Sequence, residues 1–262
     1  EIAQCLVGSE MCIRDRCRRP SNAESSRAAE SKDAAGSNGG NALAKIGIYG
    51  GSFNPPHLGH IRAAEQTRRL LGLDRVILVP DAIPPHKRLP EGSPDAQTRL
   101  RLVQLAAQDA EGLEVSDIEL RRSGPSYTVD TLREFHAQYP QDELFLLMGT
   151  DMFQCFDQWR GPEQIAQMAR IVCMYRTQTG DALAQTLREQ ARQFEKSLGC
   201  RTVFAENQAL ELSSTQVRRL LFFGCGADRV PEAVMAEIER LGLYGLCLLY
   251  TSPSPRDTER SR

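Results

Sequence analysis

Between Lys45 and Leu241 the apolar residues fall into two alternating kinds of segment. One kind is short and almost continuously apolar: Lys45–Tyr49, Arg75–Pro80 (RVILVP), Glu143–Met148 (ELFLLM), Arg170–Tyr175 (RIVCMY) and Arg201–Ala205. Runs of this length between polar turns read as strands. Leu113–Leu120, with Leu113, Val115, Ile118 and Leu120 spaced along it, reads as a further strand. The other kind is longer and carries its apolar residues at helical spacing: Leu58–Leu71, Asp95–Asp109, Thr128–Tyr139, Pro162–Ala169, Asp181–Leu198, Ser214–Phe223 and Pro231–Leu241. Gly72 and Pro140 stop two of these helices and Pro162 opens another, as expected of residues that cannot continue or that pre-set a helix.

Repeated strand–helix–strand units of this length predict an α/β fold, a Rossmann-like doubly wound parallel sheet with helices on both faces. The unbroken apolar run ELFLLM fits a strand covered on both sides. In such a sheet ligands bind beyond the carboxyl ends of the strands. Four polar segments follow strands directly: residues 50–60, Asp81–Lys87, Gly149–Asp151 and Glu206–Arg218. The topology rule therefore predicts that all four meet on one rim.

Composition narrows the class without choosing a function. Of 262 residues 41% are hydrophobic and 25% charged, with a net charge of −2, ordinary for a soluble globular protein and no footprint for nucleic acid. No apolar run reaches the roughly 18 residues of a membrane span. Eight cysteines are scattered without C-x-x-C pairs, which predicts free thiols in a reducing cytoplasm rather than disulfides or a zinc knuckle. Residues 1–16 (EIAQCLVGSEMCIRDR) and 247–262 (CLLYTSPSPRDTERSR) resemble translated sequencing-adapter DNA, and 18–41 is rich in Ser, Ala, Gly and Asn. The expected organisation is a disordered or artefactual extension over 1–42, one domain over 43–245, and a tail of the same kind over 246–262.

The most informative stretch is Gly50-Gly51-Ser52-Phe53-Asn54-Pro55-Pro56-His57-Leu58-Gly59-His60. A strand ends in a glycine pair, crosses a Pro-Pro turn and enters a helix bearing two histidines. Residues at i and i+3 share a helix face, so His57 and His60 can address one small object. Glycines let bare backbone N–H groups approach it, and a helix N-terminus adds partial positive charge. Together these favour a polyphosphate. Imidazoles titrating near neutral pH can donate to phosphate oxygens as charge builds. A zinc pair is the rival reading, and it needs a third ligand.

The remaining segments admit plainer readings beside the functional ones. Ser213-Ser214-Thr215-Gln216-Val217-Arg218 contains a capping box, Ser213 with Gln216. Arg218 can fold back over the helix start and join the hydroxyls at one phosphate-sized site, or it can be a solvated helix residue. Gly149 lets backbone approach a ligand, and Asp151 is either a ribose acceptor or a simple helix cap. Trp159, the single Trp, either stacks on a planar ring or fills core. Prolines in Pro80–Lys87 stiffen a loop that presents His86 and Lys87. Ser126-Tyr127-Thr128 opens a helix and can be a cap alone.

Taken in order, GGSFNPPHLGH, VPDAIPPHK, PSYTVDTL, LLMGTDMFQCFDQW, RIVCMYR, ELSSTQVRRLL and the closing Leu241-Gly242-Leu243-Tyr244 resemble the bacterial nicotinate-nucleotide adenylyltransferases, of the H-x-G-H nucleotidyltransferase superfamily. The likeness spans about residues 43–245. It implies transfer of AMP from ATP to nicotinate mononucleotide, giving deamido-NAD and pyrophosphate, with Mg²⁺ on the phosphates rather than on a protein metal site. By the same resemblance Gly50, Ser52, Phe53, His57, His60, Gly149, Asp151 and Arg218 contact ATP, and Ser213, Ser214 and Thr215 hold its β- and γ-phosphates. Lys87, Thr128 and Trp159 face the acceptor, Trp159 on the pyridine ring and Thr128 at its carboxylate. Two departures stand out: Asn54 occupies a place where many relatives have Asp, and Glu206–Glu211 lacks the second aromatic that some relatives place before Ser-Ser-Thr.

Alternatives remain at this stage. A pantetheine-phosphate adenylyltransferase or a cytidylyltransferase shares the superfamily, although the latter usually carries an R-T-x-G-I-S-T-T signature where this chain has E-L-S-S-T-Q-V-R. A non-catalytic nucleotide-binding module on the same fold is another. A class I aminoacyl-tRNA synthetase fragment is disfavoured by the lack of a K-M-S-K-like loop. Acid or amide preference and oligomeric state, a homo-oligomer included, are left open.

Overall fold

The computed structural model describes residues 43–85, 87–176, 180–208 and 212–245. The expected extensions over 1–42 and 246–262 lie outside these residues, as does His86.

Six strands form one all-parallel sheet: β1 (Lys45–Gly51), β2 (Arg75–Pro80), β3 (Leu113–Val115), β4 (Glu143–Gly149), β5 (Arg170–Arg176) and β6 (Thr202–Asn207). Their order across the sheet is β3-β2-β1-β4-β5-β6, that of a doubly wound nucleotide-binding fold. Helices α1 (Leu58–Leu71) and α2 (Ala96–Ala107) link the first three strands, and α3 (Thr128–Gln138) leads from β3 to β4. Next come α4 (Thr150–Gln154), α5 (Pro162–Met168) and α6 (Asp181–Leu198), with α7 (Ser214–Phe222) and α8 (Glu232–Leu241) after β6.

The direction in which the chain crosses the sheet decides which face each helix covers. Right-handed crossovers running one way put α1 and α2 on one face; the reversal after β3 puts α3 to α6 on the other. The two cores follow this division. Val76, Leu78, Phe145, Leu147 and Val172 meet α1, α2, α7 and α8 through Ala64, Val103, Leu221 and Ile238. Ile48, Ile77, Leu146 and Ile171 meet α3, α5 and α6 through Leu132, Ile165 and Phe194. Alternate residues of β4 thus serve opposite cores, which is why its run is continuously apolar.

Local signals set the helix ends. Gly72 stops α1 in the left-handed region at φ 60°, and Asp95 caps α2 by accepting the Thr98 N–H at 2.7 Å. Two expectations need correction. The strand predicted over Leu113–Leu120 ends at Val115. Beyond it Ser116 Oγ accepts the Ile118 N–H, and Leu120 N–H bonds to Asp117 O in a turn. A turn that buries Ile118 mimics strand spacing, so spacing alone could not tell the two apart. The other is Asp151 as a helix cap: it lies inside the first turn of the five-residue helix α4, whose cap position is Gly149.

Candidate functional site

The order reverses between β1 and β4, whose first connections leave in opposite directions. A cavity of about 890 Å³ opens above the carboxyl ends of the strands around that reversal, lined by Gly50, His57, Gly149 and Arg218 among others. All four polar segments predicted for one rim contribute to its wall.

The floor is the turn after β1. Gly50 and Gly149 line it, and a Cβ placed on either would touch nothing within 4 Å. Neither has positive φ. Their lack of a side chain therefore serves no backbone conformation; it leaves room for something to approach. Ser52 and Phe53 follow, buried at 7% and 2% exposure. The Ser52 hydroxyl is turned inward, donating to Asp81 Oδ2 at 2.6 Å. Phe53 adopts φ 44° and packs its ring in the core beside Tyr49 and His60. Both residues line the cavity; the Ser52 hydroxyl and the Phe53 ring are taken up by the protein, which leaves backbone as what they can offer a ligand. Asn54 precedes a cis peptide bond to Pro55 and donates from Nδ2 to Ser93 Oγ at 2.8 Å. An aspartate could not make that bond, so the asparagine has a use of its own.

His57 and His60 open α1 with their rings stacked 3.6 Å apart. Burial pushes His57 down to about 4. His60 keeps some exposed surface but sits among Tyr49, Phe53 and His57, and burial first, then the His57 and Lys87 charges, hold it well below the ordinary imidazole range. The expectation of two imidazoles titrating near neutral pH is corrected here: the low-dielectric setting disfavours the cation. Both rings are neutral at pH 7. No group of three or more His, Cys, Asp or Glu side chains suited to a metal occurs among the described residues.

The second signature arrives from α7. Ser213 caps it, its hydroxyl accepting the Gln216 N–H at 3.2 Å while Gln216 Oε1 accepts the Ser213 N–H at 2.9 Å. The predicted capping box is present. Arg218 folds back over the helix start, as its i+3 relation to Thr215 allows: Nη2 donates to Thr215 Oγ1 at 3.0 Å and Nη1 to Asn54 O at 2.6 Å. Ser214 Oγ donates to Pro55 O at 3.1 Å. The start of α7 is thereby clamped to the turn that leads into His57, and Asn54, Ser213, Ser214, Thr215 and Arg218 line the cavity.

Lys87, Thr128 and Trp159 also line the cavity. Thr128 is the first residue of α3 and makes no cap, so the plain capping alternative fails for it. Trp159 is half-buried, packs edge-on against Phe156 and lines the cavity. Asp151 is exposed in the first turn of α4 and is the one predicted site residue that does not line the cavity.

Sequence reasoning missed several wall residues. Glu119 is 7% exposed and accepts the Thr131 hydroxyl at 2.6 Å, and burial pushes its carboxyl up against hydrogen bonds from Thr131 and Ser126. The strand-like spacing of Leu113–Leu120 masks its signal. Tyr175 and Arg176 line the cavity at the end of β5, where the rule about strand ends could have found them. The Tyr175 hydroxyl donates to Glu206 at 3.2 Å.

Comparison with known proteins gives the family. The Cytidylyltransferase-like family model matches residues 48–220. A probable nicotinate-nucleotide adenylyltransferase of Pseudomonas syringae pv. tomato is 39% identical over 209 residues, covering 76% of this chain and 93% of the relative. A probable nicotinate-nucleotide adenylyltransferase of Thermus thermophilus is also 39% identical, covering 76% of this chain and 99% of the relative. Among solved structures, a Plasmodium falciparum nicotinic acid mononucleotide adenylyltransferase complexed with NaAD superposes with a TM-score of 0.63 at 16% identity, over 78% of this chain and 99% of that one. At such identity the superposition speaks to the fold, while the curated relatives speak to the family. With a matching family model over most of the folded region and relatives covered nearly end to end, the chain belongs to the nicotinate-nucleotide adenylyltransferase family, within the cytidylyltransferase-like nucleotidyltransferases.

Proposed function

We propose that this chain transfers AMP from ATP to nicotinate mononucleotide, releasing pyrophosphate and forming deamido-NAD, a step of NAD biosynthesis. The observation that carries this reading is the clamp between α7 and the turn before α1, which brings Arg218 and the histidine pair to one cavity.

The reaction is an in-line displacement. A phosphate oxygen of the mononucleotide bonds to the α-phosphorus of ATP as the bridge to the β-phosphate breaks, and pyrophosphate leaves with the electron pair. The attacking oxygen is already an anion, so no base has to remove a proton. What remains for the protein is positioning and charge stabilisation. His57 and His60 face the α-phosphate and donate hydrogen bonds as charge builds there. Arg218, with Ser213, Ser214 and Thr215, holds the β- and γ-phosphates of the leaving group. Gly50, Gly149 and the backbone of Ser52 and Phe53 admit the nucleotide, and Asp151 accepts from ribose hydroxyls at the outer rim. Lys87 neutralises the acceptor phosphate, Trp159 stacks on the pyridine ring, and Thr128 receives its carboxylate. Mg²⁺ is part of the nucleotide substrate, held on phosphate oxygens. The chain needs neither nucleic acid nor membrane as a partner, and we place it in the cytoplasm.

The full-length chain with MgATP and either nicotinate or nicotinamide mononucleotide provides the test, reading pyrophosphate release and dinucleotide formation. Release with the acid and little with the amide is expected. Release only with CTP, or only with a phosphopantetheine acceptor, would move the chain to another branch of the superfamily. No release under any pairing would overturn the enzyme reading.

A further inference from the structure

The side chain of Arg99 is 1% exposed, yet it reaches the underside of both halves of the site. Its Nη1 donates to Ser52 O at 2.9 Å and to Asp81 Oδ1 at 2.7 Å. Its Nη2 donates to Asp81 O at 2.7 Å and to Ala82 O at 3.1 Å. Asp81 completes the ring by accepting the Ser52 hydroxyl on Oδ2 and donating its own N–H to Gly51 O at 3.0 Å. The chain of bonds continues to the acceptor side, where Ala82 N–H donates to Ser126 Oγ at 2.9 Å, two residues before Thr128.

We propose that Arg99 is a positioning residue that locks the turn after β1 to the loop after β2, and so sets the spacing between the ATP and acceptor half-sites. The inference rests on the adenylyl-transfer reading. A planar fork suits this task because it grips two carbonyls of one loop, one of the other and a carboxylate in fixed directions; an ammonium is a point charge without that geometry. Gripping Ser52 O has a further consequence. The peptide unit is planar with its C=O and N–H opposed, so a carbonyl turned down to Arg99 turns the Phe53 N–H the other way, away from the buried guanidinium. A buried ion pair is a poor stabiliser compared with apolar residues of similar volume, which makes registry the better account of its presence here.

The test uses Arg99→Lys and Asp81→Asn in the full-length chain, with thermal unfolding, steady-state kinetics in both substrates, and calorimetric ATP binding. For folded Arg99→Lys we expect kcat to fall on the order of a hundredfold, as small misplacements of reacting groups do, with KM raised for ATP and for the mononucleotide alike. The double variant should be no worse than the worse single one, since both break the same ring. Wild-type kcat and KM values in folded Arg99→Lys would overturn the proposal, as would a loss seen only in melting temperature. If Arg99→Lys does not fold, Asp81→Asn decides by the same criteria. An inactive wild-type chain would count against the reaction assigned above, and the calorimetric comparison would still read Arg99 through ATP affinity.

Discussion

The backbone N–H of His57 donates to Nδ1 of His60 across 3.2 Å. That single bond settles where the proton of the His60 ring resides. A nitrogen that accepts cannot carry a hydrogen, so the neutral ring is protonated at Nε2. His60 thus offers one directed N–H donor without bearing charge. Stacking at 3.6 Å is compatible with two neutral rings and would be strained by two cations.

Replacing His60 with Ala should remove a donor aimed at the developing charge. Removing one such donor from a prepared site costs about 3–4 kcal/mol. We expect kcat to drop roughly a hundredfold or more with a modest change in melting temperature. Steady-state assays beside a thermal melt measure both, and a wild-type kcat would exclude the role.

The same depressed basicity gives a pH dependence of stability. His57 titrates at about 4 when folded, against 6.5 in the open chain. Between those values the unfolded state binds more protons, so stability rises with pH through the window and falls as the solution is acidified from 6.5 towards 4. The contribution is on the order of 3 kcal/mol across the window, and it vanishes above 6.5. Melting temperatures of the wild type and of His57→Asn over pH 4–8 should converge near neutrality and diverge in acid, with the wild type losing more.

Two glycines of β1 should behave oppositely. A Cβ on Gly47 would lie 2.9 Å from Val76 Cγ2 and 3.0 Å from Leu73 Cδ1, both in the core. Gly47→Ala should therefore destabilise by about 1–3 kcal/mol and leave the KM for ATP of the folded fraction unchanged. Gly50→Ala has free space and should melt like wild type, while its methyl enters the cavity and raises the KM for ATP. Equal effects of the two on KM would contradict this account.

Arg218→Lys tests the clamp. A lysine keeps the charge but cannot bond Asn54 O and Thr215 Oγ1 together as the fork does. The expected result is a higher KM for ATP with little change in the KM for the mononucleotide, measured with each substrate varied in turn. Parallel shifts in both values would argue against a role confined to the leaving phosphates.

Much of this could be read from the chain alone. The alternation of apolar runs with helical periods yielded the order of elements, because strand and helix spacing are set within a few residues. The capping box of Ser213 and Gln216 and the stop at Gly72 are equally local. The likeness of GGSFNPPHLGH and ELSSTQVRRLL to one family rests on short words, so it too survived without coordinates. Tertiary structure alone decided the rest. It set the reversal of strand order at β1 and β4, the early end of β3, and the long-range partners of Arg99, Asp81 and Arg218 across 17 to 164 positions of sequence. It also made the two imidazoles neutral, since desolvation depends on what packs around a ring rather than on its neighbours in the chain. Spacing encodes which face a residue occupies; it carries no record of dielectric surroundings or of bonds closed by distant loops.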